Sequence, residues 1–104
     1  MKIVIMGGGP GGYVAAIRAA QLGAEVTIIE KEHFGGTCLN KGCIPTKVLL
    51  HTTEQLEMIK KDYNEMGIRV SDIGVDWRRL QERKEKIVGR LVRGVEGLLS
   101  NNKI

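Results

Sequence analysis

The sequence is poor in several residue types, and each shortage excludes a class of protein. It has two cysteines in 104 residues, too few for a secreted domain that several disulfides hold together. Its four aromatic residues offer little stacking surface for nucleic-acid bases. No apolar run approaches the roughly 20 residues that a membrane-spanning helix needs. The sequence predicts one soluble domain at most, with a modest core.

Basic residues, by contrast, are plentiful near the end of the chain. The formal net charge is +4, and seven of the basic residues lie between positions 78 and 93. Glu82, Glu85 and Glu96 are interleaved with them, a pattern typical of a solvated helix face with some i,i+4 pairing. Together with the shortage of aromatics, this interleaving argues against nucleic-acid binding.

The predicted first strand begins at Lys2. That start leaves no room for the charged segment, apolar segment and cleavage site of a secretion signal. Since the sequence also has only two cysteines and no membrane span, it predicts a cytoplasmic protein.

The first third of the chain has the pattern of a parallel βαβ unit. The β-branched run over 2–6 predicts a strand, and residues 13–22 carry apolar side chains at helical spacing up to Gly23, a typical helix stop. Residues 25–30 predict a second buried strand. A crossover of this kind places the two strands parallel.

The rest of the chain predicts a loop and two longer helices. Residues 31–41 are rich in glycine and predict the loop. Apolar spacing over 44–66 predicts a helix that Gly67 closes, with Pro45 in its first turn. Asp76 is a good N-cap for a long amphipathic helix that ends near Asn101. The predicted fold class is α/β, an incomplete Rossmann-like domain, because a parallel sheet of two strands has both edges unpaired.

A glycine-rich turn follows the first predicted strand. Gly7, Gly9 and Gly12 match the G-x-G-x-x-G dinucleotide fingerprint, in which they permit a tight turn, the close approach of a pyrophosphate and the packing of helix on strand. Glu30 ends the second predicted strand, where a carboxylate can accept hydrogen bonds from a ribose diol. The fingerprint does not choose between FAD and NAD, and a glycine-rich turn with a solvated glutamate is the alternative interpretation.

The two cysteines, Cys38 and Cys43, are five positions apart. In a regular helix, Cα atoms at that spacing are roughly 8 to 9 Å apart, beyond the usual disulfide range of about 4.4 to 6.8 Å. A small reducible ring therefore requires distorted backbone, which Gly42 and Pro45 permit. A helix N-terminus there, and Lys47 one turn later, would lower the pKa of a thiol.

Other uses of the cysteines stay open at this point. Zinc needs about four ligands, and only His33 and His51 could complete the set. Two buried structural thiols are a second alternative, since free cysteine often packs as a small apolar residue. His51 is predicted to be a packed or surface residue rather than a catalytic base, because no acidic partner for it is identifiable.

The segment Gly-Gly-Thr-Cys-Leu-Asn-Lys-Gly-Cys-Ile-Pro, residues 35–45, resembles the redox-disulfide segment of the flavoprotein disulfide reductases. The N-terminal glycine fingerprint is similar to the FAD fingerprint of the same family. Within the family, Leu39, Ile44 and the ending Thr46-Lys47 look most like the branch that oxidises dihydrolipoamide. Thr46 in place of serine and Lys41 in place of valine are mild departures from that branch.

The resemblance implies a role for each site residue. Cys38 would be the interchange thiol that attacks the substrate, and Cys43 would be the sulfur next to the flavin. The other implied contacts are all to FAD: the pyrophosphate at Gly7, Gly9 and Gly12, the adenosine ribose at Glu30, the isoalloxazine at Lys47, and further lining by Lys31, Gly36 and Thr37. The resemblance implies no metal.

The implied reaction is oxidation of dihydrolipoamide by the Cys38–Cys43 disulfide, with electrons passing through FAD to NAD⁺. The implied partner is dihydrolipoamide on the carrier of a 2-oxoacid dehydrogenase or a glycine cleavage system. The implied assembly is a homodimer that binds neither nucleic acid nor membrane.

Members of the family are several times longer than this chain. Residues 1–104 are therefore expected to be the N-terminal part of an FAD-binding domain, without the NAD and dimer-interface domains, and to have little or no turnover alone. Three alternatives remain: a disulfide reductase of mercuric or glutathione type, a flavin-free dithiol carrier or redox sensor, and a nucleotide-binding module with inert cysteines.

Overall fold

The computed structural model describes residues 1–104 and contains two strands and four helices. Strand β1 spans Lys2–Met6, helix α1 spans Pro10–Gln21 and strand β2 spans Glu25–Ile29. The two strands are parallel, with Ile3 beside Val26 in the register. The predicted parallel βαβ unit is confirmed.

Helix α1 begins and ends at residues suited to its boundaries. Pro10 is its first residue, a position where the missing N–H costs no intrahelical hydrogen bond. At the other end, Gly23 has a φ of +88°, a left-handed conformation that glycine adopts without strain. The N–H groups of Gly23 and Ala24 donate to the carbonyls of Ala20 and Ala19 at 2.9 and 3.1 Å. These bonds close the last turn and return the chain to the sheet.

Three helices follow β2, which is one more than the sequence predicts. They are α2 over Gly36–Lys41, α3 over Cys43–Lys61 and α4 over Trp77–Asn101. The prediction of a loop over 31–41 is therefore wrong from Gly36 onward. Two consecutive glycines conceal the start of α2 in the sequence, since glycine disfavours helices. The Asn40 side chain supports the helix by donating to the Phe34 and Gly36 carbonyls at 3.0 Å.

Helix α3 ends at Lys61, before the predicted end at position 66. Beyond it the backbone turns back on itself, because the N–H of Met66 donates to the Asp62 carbonyl at 3.1 Å and the N–H of Ile68 to the Tyr63 carbonyl at 2.8 Å. These turn bonds replace the last turn of the predicted helix.

Helix α4 begins where the sequence predicts. An Asp76 carboxylate oxygen accepts the N–H of Arg79 at 3.0 Å, which satisfies one of the N–H groups left free at a helix start. The N-cap prediction is confirmed.

The core joins α1, β2 and α4 on one face of the sheet. Its buried members are Ala16 of α1, Val26 of β2, and Val95 and Leu99 of α4. The apolar side chains that alternate along the strands, including Ile3, Ile5 and Ile28, pack against this cluster from the same side. The covered face thus follows the period-2 pattern of the strands.

The opposite face of the sheet is uncovered and carries exposed apolar side chains. Val4 and Met6 of β1 are 65% and 86% exposed, and Ile29 of β2 is 53% exposed. The molecule is long and thin, with extents of 65 × 24 × 18 Å. No helix in the structure combines the length and the apolar character that a bilayer crossing requires.

Candidate functional site

The glycine turn between β1 and α1 presents free backbone donors. Gly7 continues the sheet ladder, with its N–H on the Ile29 carbonyl at 2.7 Å, and then turns the chain with a φ of +102°. No hydrogen bond within the chain uses the N–H groups of Gly9, Gly11 and Gly12. Three unpaired donors beside a helix N-terminus are suited to an anionic group such as a pyrophosphate.

Gly12 holds the start of α1 against the turn. A Cβ at this position would lie 1.8 Å from the Gly7 carbonyl oxygen, far inside van der Waals contact. At Gly11, by contrast, a Cβ would meet nothing within 4 Å. The close approach of helix and turn therefore requires glycine at position 12.

Glu30 bonds to the backbone with both carboxylate oxygens. Oε1 accepts the N–H of Glu32 at 2.9 Å, and Oε2 accepts the N–H of Gly8 at 2.7 Å. The bonds from the Glu32 and then the Gly8 N–H hold the pKa of the Glu30 carboxyl below its usual value. Glu30 is thus a carboxylate at neutral pH, and each oxygen has lone-pair capacity left for a further donor.

The segment that leads into α2 packs on the glycine turn. The Gly35 N–H donates to the Gly8 carbonyl at 2.9 Å. A Cβ on Gly36 would lie 2.9 Å from Pro10 Cδ and 3.1 Å from Gly9 Cα, so the two glycine segments touch through their backbones. This contact places the start of α2 directly against the glycine turn of residues 7–12, which is predicted to hold the phosphates.

Cys38 and Cys43 form a disulfide that links two helices. Cys38 lies in α2 and Cys43 is the first residue of α3, and their Cα atoms are 4.7 Å apart. Between them, Gly42 has φ −130° and ψ −109°, which interrupts the helix and brings the cysteines within disulfide range. The departure from helical backbone is the one that the spacing predicts. Both cysteines are exposed, so the buried-thiol alternative is wrong.

A polar cavity of about 320 Å³ lies beside the turn and α2. Lys41 forms an ion pair at its edge with Glu32, at 2.8 Å. The hydrogen bond and charge of this pair lower the pKa of Glu32 and raise that of Lys41. Four predicted cofactor residues are among those that line the cavity: Glu30, Lys31, Gly36 and Thr37.

The remaining predicted site residues lie around this cavity or beyond it. Gly7, Gly9 and Gly12 form the adjoining turn and do not line the cavity. Lys47 lies one turn after Cys43 on α3, exposed and also outside the cavity. No group of three or more histidine, cysteine or acidic side chains could hold a metal ion.

The chain's residues fit part of an FAD molecule. The free donors of the glycine turn suit the two phosphates, and the ionised Glu30 beside the turn suits a ribose diol. No apolar side chain lines the 320 Å³ cavity, which suits a hydroxylated sugar more than an apolar ring.

Phe34 and Asn40 also support the site, although the sequence motifs predict no role for either residue. A Cβ on Gly8 would lie 2.4 Å from the Phe34 ring, so this ring packs directly against the turn. Asn40 fixes the backbone between Phe34 and the disulfide through its two side-chain bonds. Asn40 stands inside the motif of residues 35–45, which was the signal that could have identified it.

The comparisons with known proteins agree with this site. The profile of the family described as pyridine nucleotide-disulphide oxidoreductase matches residues 1–104. Among curated relatives, a dihydrolipoyl dehydrogenase of Geobacillus stearothermophilus is 52% identical over 103 residues, which are 99% of this chain and 22% of the relative. A mitochondrial dihydrolipoyl dehydrogenase of Pisum sativum is 50% identical, over 98% of this chain and 21% of the relative.

Solved structures give the same assignment. The HOCl-induced flavoprotein disulfide reductase RclA from Escherichia coli aligns with a TM-score of 0.74 and 31% identity, over 97% of this chain and 20% of that chain. The chain thus spans about a fifth of the length of the relatives it matches. The expected α/β fold and the resemblance to the disulfide reductases are both confirmed. The chain belongs to the pyridine nucleotide-disulphide oxidoreductase family.

Proposed function

We propose that this chain supplies two parts of a dihydrolipoyl dehydrogenase: the glycine turn that binds the FAD phosphates, and the redox disulfide. The observation that carries the proposal is the backbone contact between Gly36 and Gly9. It fixes the helix of Cys38 against the turn whose free N–H groups suit a pyrophosphate, so one rigid unit holds both the cofactor site and the disulfide. The relatives at about 50% identity carry the name dihydrolipoyl dehydrogenase, which supports this activity over the mercuric and glutathione types.

The exposed disulfide accounts for the sulfur chemistry. A substrate thiolate attacks Cys38 Sγ, the Cys38–Cys43 bond breaks and Cys43 Sγ leaves as a thiolate. The second substrate sulfur then attacks the first, which closes the lipoamide ring and releases Cys38. Two electrons have moved from the substrate to the Cys38–Cys43 pair. FAD, when bound, would supply the acceptor for these two electrons and their transfer to NAD⁺.

We further propose residues 1–104 as the N-terminal part of an FAD-binding domain. The same proposal includes NAD⁺ as the co-substrate and a homodimeric assembly. It also includes, as the partner, a lipoyl carrier protein of a 2-oxoacid dehydrogenase or glycine cleavage system. Its support is the coverage of about a fifth of each relative and the open apolar face of the sheet. A cytoplasmic location is proposed from the low cysteine content. Alone, the chain is expected to turn over little or no dihydrolipoamide.

A chimera tests the proposed activity. The matching segment of the Geobacillus stearothermophilus dihydrolipoyl dehydrogenase is replaced by this chain, and NAD⁺-dependent oxidation of dihydrolipoamide is measured. We expect an active, FAD-loaded enzyme. Cys38→Ser and Cys43→Ser should each lower kcat by at least about a thousandfold, since the disulfide is then absent.

The control for this chimera is His51→Ala, an exposed helical residue outside the cavity, which should keep its activity. A chimera that folds and retains FAD but turns over equally well with either cysteine replaced would contradict the assigned role of the disulfide. A chimera that folds without retaining FAD would contradict the proposal that the glycine turn binds the FAD phosphates.

A further inference from the structure

Helix α4 carries a single row of cations on its exposed face. The row runs at intervals of four, three, four and three residues, a spacing that keeps side chains on one line of a helix. Its two ends are fourteen residue steps apart, which corresponds to about 21 Å along the helix. All its members are exposed: Arg79, Arg83, Lys86, Arg90 and Arg93.

None of these five cations has an acidic partner. The ion pairs of α4 are Arg78 with Glu82 and Lys84 with Glu85, and no member of the row takes part in any ion pair of the chain. Like charges at i,i+3 and i,i+4 spacing repel one another along a helix. The row is therefore destabilising for the isolated helix, and an acidic partner would relieve that repulsion.

The N-terminal end of the row opens into an apolar cavity of about 480 Å³ between α3, α4 and the segment that joins them. Leu56 and Ile59 of α3 and Leu80 of α4 are among its walls, and Arg79 and Arg83 line it as well. Val70 and Val75 at its edge are 43% and 48% exposed. The cavity thus offers apolar surface beside the first two cations of the row.

Two carboxylates restrict what can enter this cavity. Asp72 and Asp76 both line it, and Asp76 also caps α4. A carboxylate placed beside them would be repelled. Arg79 and Arg83 balance these two charges within the lining, so the apolar walls favour an uncharged group in the cavity, and the acidic groups of the ligand lie further along the row.

We propose that α4 is the docking site for an acidic amphipathic helix of another protein. One large apolar side chain of that partner fills the 480 Å³ cavity as an anchor, and its Asp or Glu residues at helical spacing face the row from Arg83 to Arg93. A nucleic-acid backbone carries no apolar group that could fill the cavity, which disfavours nucleic acid as the partner. The anchor cavity shares no lining residue with the cavity beside the glycine turn, so the anchor contact does not depend on the proposed function.

The binding test uses the 104-residue chain and a fluorescein-labelled synthetic helix of about 20 residues, with glutamates along one face and a terminal leucine anchor. Anisotropy should show binding that weakens as salt rises from about 50 to about 200 mM, because the contacts are exposed charges. The triple variant Arg83→Gln, Lys86→Gln, Arg90→Gln should lose at least about tenfold in affinity. Replacing the leucine anchor of the probe by serine should lose a similar factor.

The matched control removes three exposed, unpaired cations outside the row and the cavity: Arg18→Gln, Lys60→Gln, Lys103→Gln. It has the same net charge as the row variant and should change the affinity by less than about twofold. Circular dichroism is used to check that both variants keep their helices. Equal weakening by the control, tighter binding of duplex DNA than of the acidic helix, or no effect of the anchor substitution would each overturn the proposal.

Discussion

Gly12 is the residue on which the geometry of the glycine turn depends most. In Gly12→Ala, the new Cβ would lie 1.8 Å from the Gly7 carbonyl oxygen, so α1 must move away from β1. We expect the free energy of unfolding to fall by at least about 2 kcal/mol, as in other overpacked sites. Urea denaturation measures the change. Gly11→Ala, where a Cβ meets nothing, is the matched control, and equal losses in both variants would contradict this steric account.

Glu30 makes the stability of the fold depend on pH. Its pKa is lowered in the folded chain by the N–H groups of Glu32 and Gly8. A group with a depressed folded pKa stabilises the fold at pH values above its unfolded pKa, and the contribution is lost as pH falls through the folded value. We expect NMR titration to give a lower pKa for Glu30 in the chain than in a peptide of residues 27–33.

Glu30→Gln provides the thermodynamic counterpart of that titration. The wild type should be more stable than the variant at neutral pH, and the difference should shrink as the pH is lowered toward about 3. Urea denaturation across this range measures both proteins. A difference that stays constant with pH would show that the charge of Glu30 does not contribute.

At the scale of elements, α4 contains glycines that its packing does not require. A Cβ at Gly97 would meet nothing within 4 Å, and glycine in a helix interior costs about 0.8 to 1 kcal/mol relative to alanine. Gly97→Ala should therefore raise the free energy of unfolding by about 0.5 to 1 kcal/mol. Gly23→Ala should act in the opposite direction, because Gly23 has a φ of +88°. Thermal or urea denaturation of both variants tests the two signs together.

The disulfide links α2 to α3 through a ring of small sequence separation. Closing so short a loop stabilises the folded state by about 2 kcal/mol in the chain-entropy account. Treatment with a reductant should lower the free energy of unfolding by about that amount. The double variant Cys38→Ser, Cys43→Ser should show the same stability with and without reductant. A reductant effect that persists in the double variant would point to a cause other than the ring.

At the scale of the whole molecule, the chain is extended and little of it is buried. Only 8 of 104 residues are buried, and the Cα radius of gyration is 19.8 Å, against about 13 Å for a compact chain of this length. Small-angle scattering at low concentration should give a value near 20 Å, and apolar dyes should bind the open sheet face at Val4 and Met6. A scattering radius near 13 Å would contradict the extended arrangement.

The sequence alone determined the parts of the molecule that local chemistry controls. Short runs of β-branched residues specified β1 and β2, apolar spacing and Gly23 specified α1, and Asp76 specified the start of α4, because each signal acts within a few residues of itself. The motif around the cysteines likewise sufficed to indicate the family and a departure from helical backbone at Gly42.

Only the tertiary structure decided the features that depend on contacts between distant residues. The helix that starts at Gly36 is supported by the Asn40 side chain and by the glycine turn, and local propensity opposed it. The bond from Gly8 to Glu30 and the absence of acidic partners for the row from Arg79 to Arg93 were also invisible in the sequence. Such contacts depend on how the elements pack, and residues far apart in the chain meet only after folding.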